Sequence, residues 1–124
     1  MRIFKNQWFS RFVEKEGIFD DELKDAVRLL EAGRSDADLG GGVYKLRLAR
    51  FGGGKSGGYR VIVFFKSGKR AFFVYGFAKS NRDNISVKQL KGFKLAARVA
   101  FSYNEEQLHE RLMDYIRRFI HETV

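Results

Sequence analysis

The sequence contains no cysteine and no proline. Without cysteine, the chain can have no disulfide framework, no thiolate nucleophile and no zinc site with cysteine ligands. Its two histidines, His109 and His121, both fall in the acidic C-terminal stretch. The run 109–113 is not a zinc-protease motif, because Met113 stands where the second histidine is needed. We therefore expect neither a metal site nor a cofactor, and neither a two-histidine ribonuclease nor a Ser-His-Asp hydrolase.

Long apolar runs are also missing. No stretch approaches the length needed to cross a bilayer, and residues 1–6 lack the apolar core of a signal peptide. We expect a cytoplasmic protein with no membrane partner. The 124 residues, 44% of them hydrophobic and including 13 phenylalanines, suffice for one buried core. The prediction is a single domain over residues 1–124.

Acidic residues are scarce in the middle of the chain. Residues 39–103 hold 14 basic side chains and one acidic side chain, Asp83, whereas residues 1–38 and 104–124 each have a net charge of −2. The net charge of +9 is thus concentrated in one segment. Such segregation predicts a basic face that attracts a polyanion, and the alternative is a charge excess that only aids solubility.

Hydrophobic periodicity predicts an α+β fold. It comprises an N-terminal helical pair, a mainly antiparallel sheet of three to four strands, and C-terminal helices. The expected elements are a short strand at Ile3 and Phe4, helices over 6–17 and 20–33 with Asp20 as the second N-cap, a loop over 34–42, strands over 43–50, 59–66 and 70–78, and helices opening at Ser86 and Asn104.

Basic side chains recur at the ends of these strands. Lys45 and Arg47 project from the same face of one strand, and Arg60 begins the next. Lys79 and Arg82 follow the last strand. Antiparallel pairing of the strands would bring these five cations to one sheet face. Because like charges on one surface cost free energy unless an anion binds there, we expect this face to bind an anion. The alternative is a solvated face of unrelated charges.

The glycine-rich run 52–58 does not match two familiar phosphate-binding motifs. A P-loop needs glycine where Ala49 stands and a helix after the loop, but a strand is predicted there. Residues 54–57 spell the GXXG of KH domains, yet that loop joins two helices. What remains is a basic connection, with Lys55, whose backbone N–H groups can approach phosphates.

Three segments together carry a family resemblance: 36–43, 53–60 and 76–85. In order and spacing they resemble the RelE/ParE toxin superfamily, and more closely the HigB-like branch of type II toxin–antitoxin systems, over residues 1–103. The resemblance implies a RelE-like fold and a ribosome-dependent mRNA endonuclease (an mRNA interferase) that inhibits translation. The implied partners are mRNA, the ribosome and a helix-turn-helix antitoxin.

The resemblance also implies roles for individual residues. The implied catalytic residues are Lys45, Arg47, Arg60, Lys79 and Arg82. The further predicted RNA-binding residues are Tyr59 and Asn84, which fall in the matched segments, and Arg50 and Lys55, which we expect around the same basic face. The sequence departs from RelE at Ser80, where RelE has a functional arginine, and near Ser86, where RelE has a catalytic tyrosine.

Without histidine, the chemistry can rest on lysine and arginine. In the expected reaction the RNA 2′-hydroxyl attacks the adjacent phosphorus. Lys45 acts as base, Arg60 clamps the phosphorane, Arg47 positions it, and Arg82 or Lys79 aids the leaving group. The alternatives are a ParE-like inhibitor of DNA gyrase and a non-catalytic RNA- or ribosome-binding module.

The acidic, amphipathic segment 104–124 lies beyond the resemblance and is predicted to be an extra C-terminal helix. We expect it to complete the core. The alternatives are a homodimer formed through this segment, or docking of the antitoxin.

Overall fold

The computed structural model describes residues 2–49, 58–82, 84–104 and 106–107. They form the predicted α+β fold. The elements in chain order are β1 (Arg2–Lys5), α1 (Gln7–Glu16), α2 (Asp20–Glu31), β2 (Ala37–Gly40), β3 (Val43–Leu48), β4 (Tyr59–Lys66), β5 (Arg70–Ala78) and α3 (Val87–Ser102). None of the helices in these ranges is both long and apolar enough to cross a membrane.

The five strands make one sheet in the order β1-β5-β4-β3-β2. Neighbouring strands are antiparallel except β1 and β5, which are parallel. The predicted loop 34–42 is wrong in part, because Ala37–Gly40 forms β2 and pairs with β3. Gly40, Gly41 and Gly42 all have positive φ and make the turn between the two strands.

Local hydrogen bonds define most helix ends as predicted. Asn6 caps α1 by accepting a 2.7 Å bond from the Phe9 N–H, and the helix stops at Gly17. Ser86 and Gln89 form the predicted capping box of α3. The prediction of Asp20 as a cap is wrong: it is the first residue of α2, which follows Phe19.

Residues Asn104 and Gln107 exchange side-chain and backbone hydrogen bonds of 3.0 and 2.7 Å, as expected at the start of a helix. The remainder of the predicted C-terminal helix, 108–124, lies outside the described residues.

Hydrophobic cores lie on both faces of the sheet. On one face, Phe9 of α1 and Leu23 of α2 pack against the sheet, and both are fully buried. On the other face, Ala97 of α3 packs in a cluster that includes Val43, Ile62, Phe64 and Phe72. Strand β4 is therefore buried on both sides, as its continuous apolar run predicts.

The α3 face of the sheet changes polarity along its length. Val43 and Phe64 are paired in the register and lie in the cluster with α3. Farther along the same face, the register pairs Arg47 with Arg60. Side chains two residues apart on a strand share a face, so an apolar half covered by α3 gives way to a basic half. This change positions the candidate site.

Strand β5 holds α1 through a close contact at Gly76. A Cβ atom built there would lie 2.6 Å from the Phe12 ring. Phe12 also stacks on Trp8, which in turn stacks on Tyr75, with ring centroids 5.3 and 4.7 Å apart. The absence of a side chain at residue 76 thus lets α1 approach the sheet.

We predict that Gly76→Ala destabilises the protein by about 1–3 kcal/mol, because the added methyl overpacks the Phe12 contact. The matched control is Gly92→Ala in α3, where the new methyl would meet no described atom within 4 Å apart from its chain neighbours and the nearby backbone of its own helix. That change should stabilise by about 0.5–1 kcal/mol, the helical preference of alanine over glycine. Urea unfolding measures both free energies. Shifts of the same sign would contradict this account of α1 packing.

Candidate nucleic-acid interface

Three predicted site residues meet on the α3 face of the sheet. Lys45 and Arg47 are two residues apart on β3, and Arg60 on β4 lies directly opposite Arg47. We call Lys45, Arg47 and Arg60 the cation cluster. Like charges opposite one another on neighbouring strands are destabilising, so the cluster needs a compensating anion.

Part of that compensation comes from Asp36. Its Oδ2 atom lies 3.4 Å from Arg60 Nε and 3.9 Å from Lys45 Nζ. Its backbone N–H donates a 2.9 Å hydrogen bond to the Lys45 carbonyl, which fixes the carboxylate beside β3. One carboxylate oxygen therefore bridges two members of the cation cluster.

Asp36 was not among the site residues predicted from the sequence. Asp36 reaches the cluster because β2 pairs with β3, with Ala37 opposite Lys45. The glycine-rich composition of 34–42 had predicted a loop instead of a paired strand. Two acidic residues at the border of the basic segment, Asp36 and Asp38, were the available signal.

The three cations differ in exposure. The Arg60 side chain is 7% exposed and that of Lys45 is 15% exposed. Arg47 is exposed. Arg60 thus adds positive charge from beneath the surface, whereas Arg47 stands where a bound anion can touch it.

Arg82 lies on the same face, one strand farther along. Its guanidinium carbon is 5.3 Å from the ring centroid of Phe77, and Phe77 is paired with Arg60 in the register. Arg82 donates hydrogen bonds to three oxygens: the Asn84 carbonyl (2.7 Å), Tyr75 Oη (3.1 Å) and Gln89 Oε1 (2.9 Å). Because Gln89 belongs to α3, Arg82 ties the start of that helix to β5.

The remaining predicted residues are placed differently. Lys79 follows β5 and is half-buried, with its N–H bonded to the Gly58 carbonyl at 2.9 Å. Asn84 is exposed beside Arg82. Arg50 and Lys55 lie outside the described residues.

Tyr59 does not line the basic half of the sheet. It is 2% exposed and belongs to the core between the sheet and helices α1 and α2. Its hydroxyl donates a 2.8 Å hydrogen bond to Glu16. Neighbouring residues on a strand face opposite sides, so the placement of Arg60 on the α3 face puts Tyr59 on the other. The structure therefore places Tyr59 among the packing residues.

A family model described as the RelE toxin of the RelE/RelB toxin–antitoxin system matches residues 1–116. The chain belongs to the RelE toxin family. It is thus a toxin of a toxin–antitoxin system, and its family implies an antitoxin as partner. The match extends past residue 103, where the motif resemblance ended. No curated protein gives a match.

We predict that Asp36→Asn destabilises the toxin by about 1–2 kcal/mol, because it removes the anion between two largely buried cations. The control is Asp25→Asn, which breaks an ion pair with Arg28 whose side chains are 70% and 72% exposed. That control should cost less than about 0.5 kcal/mol. Urea unfolding at low salt tests both changes. Equal costs for the two variants would contradict the bridging role of Asp36.

Proposed function

We propose that this toxin is an endonuclease that cuts mRNA on the ribosome, and that it belongs to the HigB-like branch of its superfamily. The observation that carries the proposal is the cation cluster on the half of the sheet face beyond the apolar contact with α3, with Arg82 beside it. Such a surface suits the sugar–phosphate backbone of RNA, which supplies the negative charge that the cluster attracts.

The proposed reaction uses the RNA as its own nucleophile. The 2′-oxygen forms a bond to the adjacent phosphorus while the bond from phosphorus to the 5′-oxygen breaks. One proton leaves the 2′-hydroxyl and another is given to the leaving oxygen. The products are a 2′,3′-cyclic phosphate and a 5′-hydroxyl, and the reaction requires no redox partner.

We assign the catalytic roles of the three cations from the exposure of their side chains. Arg47, which is exposed, holds the phosphate oxygens with its planar fork. Arg60 stabilises the extra charge of the phosphorane from below. Lys45, the third member of the cation cluster, accepts the proton of the 2′-hydroxyl after its own ammonium group has released a proton to solvent.

We assign the leaving 5′-oxygen to the side chains on the side of the cation cluster that is farther from Lys45. Arg82 is already held by three hydrogen bonds and serves there as a fixed positive charge. Lys79 donates the proton. Both residues follow β5 in the sequence. Strand β5 pairs with β4 on one side, with Phe77 opposite Arg60, and β3 with Lys45 pairs with β4 on the other side. The groups that act on the leaving oxygen are therefore separated from Lys45 by β4.

Asp36 serves as a positioning residue in this scheme. Before RNA binds, its carboxylate holds Arg60 and Lys45 in place through the contacts of 3.4 and 3.9 Å. Once RNA binds, the scissile phosphate shares these cations with the carboxylate. The same negative charge therefore orders the site and weakens its attraction for RNA.

A requirement for the ribosome follows from the kind of residues present. Alignment of a nucleophile with its target supplies up to ~7–11 kcal/mol of a reaction barrier. A site built from lysine and arginine gains most from a substrate that is already held in line. The ribosome holds mRNA in a fixed path and would supply that alignment.

We predict that Arg47→Ala lowers the rate of mRNA cutting about 100-fold or more, because it removes a donor to the phosphorane. Arg60→Lys should also cut more slowly, since an ammonium cannot replace the guanidinium geometry. Arg28→Ala, at an exposed cation on α2, is the control and should cut normally. Primer extension on translated mRNA after induction measures the cuts.

Full-rate cutting by Arg47→Ala and Arg60→Lys would contradict this assignment. Gyrase-dependent DNA breaks without mRNA cuts would instead support the ParE-like function. The absence of both activities in the wild-type toxin would favour a binding module without turnover.

A second prediction concerns Asp36→Asn. Loss of one negative charge should tighten RNA binding and lower KM, whereas loss of the brace on Arg60 should lower kcat. A reconstituted translation system with a defined mRNA separates the two constants. A purely structural role would lower only the amount of active enzyme, leaving KM unchanged, and that result would contradict the positioning role.

A further inference from the structure

A groove runs from the cation cluster around the edge of β3. Among the described residues, β2 pairs with β3 only as far as Lys45, so this side of β3 has no strand partner beyond that point. The groove lies between this free edge and the end of α2, with a cavity volume of about 440 Å³. That volume lies within the range of small-ligand sites, ~300–1,000 Å³.

The groove and the cation cluster share Arg47, and Asp36 both lines the groove and contacts the cluster. Arg47 and Asp36 line the groove, and Arg47 is also the exposed member of the cluster. A phosphate held by Arg47 would therefore have its own nucleoside within reach of the groove. The two surfaces are arranged as neighbouring parts of one binding site.

The chemistry of the groove suits a planar, partly apolar ligand. Its apolar lining comes from Ala26, Leu29 and Leu46. Leu29 is 45% exposed, whereas the other apolar residues of α2 are buried. A leucine exposed at the mouth of a cavity offers apolar surface that a ligand can cover.

The polar lining points to a nucleobase. Arg34 and Arg47 carry guanidinium groups, which stack on the faces of bases and attract the flanking phosphates. Ser35 and Asp36 add oxygen atoms that can accept hydrogen bonds from the N–H groups of a base. Apolar surface, guanidinium planes and acceptor oxygens together form the usual lining of a base pocket in single-stranded RNA recognition.

We propose that this groove binds the nucleobase next to the phosphate held by the cation cluster, and so contributes to the choice of the cut position. The inference rests on the proposed function for the identity of its ligand. It adds a base-binding site on the other side of the β3 edge, with Leu29 as its main apolar contact.

The test uses isolated toxin and two labelled tetranucleotides that cannot be cut. Both have 2′-O-methyl sugars, and one of them lacks all bases. Fluorescence anisotropy should show the base-bearing tetranucleotide binding about tenfold more tightly than the abasic one. Leu29→Ala should weaken binding of the base-bearing form about three- to tenfold and leave that of the abasic form unchanged.

Two matched variants control for non-specific effects. Leu95→Ala removes the same atoms from an α3 leucine that is 61% exposed, and it should bind both tetranucleotides like the wild type. Leu29→Met keeps an apolar side chain in the groove and should keep the preference for bases. Circular dichroism and urea unfolding verify that each variant is folded.

Equal binding of the base-bearing and abasic forms by the wild type would overturn the proposal. An equal loss for both forms in Leu29→Ala, or no measurable binding of either form at millimolar concentration, would also overturn it.

Failure of the nuclease is a separate result. If the wild-type toxin prefers the base-bearing form through Leu29 but leaves translated mRNA intact, the result supports the base-binding groove and contradicts the proposed reaction. If the mRNA is cut, and Leu29→Ala changes neither the affinity for the base-bearing tetranucleotide nor the cut positions, the result contradicts the base-binding groove and supports the proposed reaction.

Discussion

Repulsion between Arg47 and Arg60 is the constraint on which the basic half of the sheet depends. The two residues face each other on neighbouring strands, where like charges cost free energy. Asp36 compensates part of this positive charge, because its carboxylate lies between Arg60 and Lys45. One carboxylate does not neutralise three cations, so the surface keeps an excess of positive charge for an external anion.

The rest of the architecture maintains this arrangement. Helix α3 packs on the apolar end of its sheet face, through the cluster that includes Ile62 and Phe64, while basic side chains occupy the other end. Arg82 links Gln89 of α3 to Tyr75 of β5, and this link fixes the start of the helix. On the opposite face, α1 and α2 pack against the same strands in a separate core that includes Leu46, Leu48 and Tyr59. The α3 core and the cation cluster therefore occupy different ends of one sheet face.

The sequence predicted the parts of this structure that depend on local pattern. Strands β3 to β5 follow from their alternating or continuous apolar residues, and the same alternation placed Lys45 and Arg47 on one face. Asp36 could not be predicted, because its role depends on the pairing of a four-residue strand that runs into a glycine turn. Tyr59 was assigned to RNA by resemblance, but its neighbour Arg60 occupies the basic face and leaves Tyr59 in the core.

The choice of the bond that is cut depends most directly on the cation cluster, which is proposed to stabilise attack by the 2′-oxygen. The decisive measurement is the chemical identity of the RNA ends after the toxin acts on a translated mRNA. We predict a 2′,3′-cyclic phosphate on the upstream fragment and a 5′-hydroxyl on the downstream fragment. A 3′-hydroxyl and a 5′-phosphate would show attack by water instead, and would contradict the proposed role of the cluster.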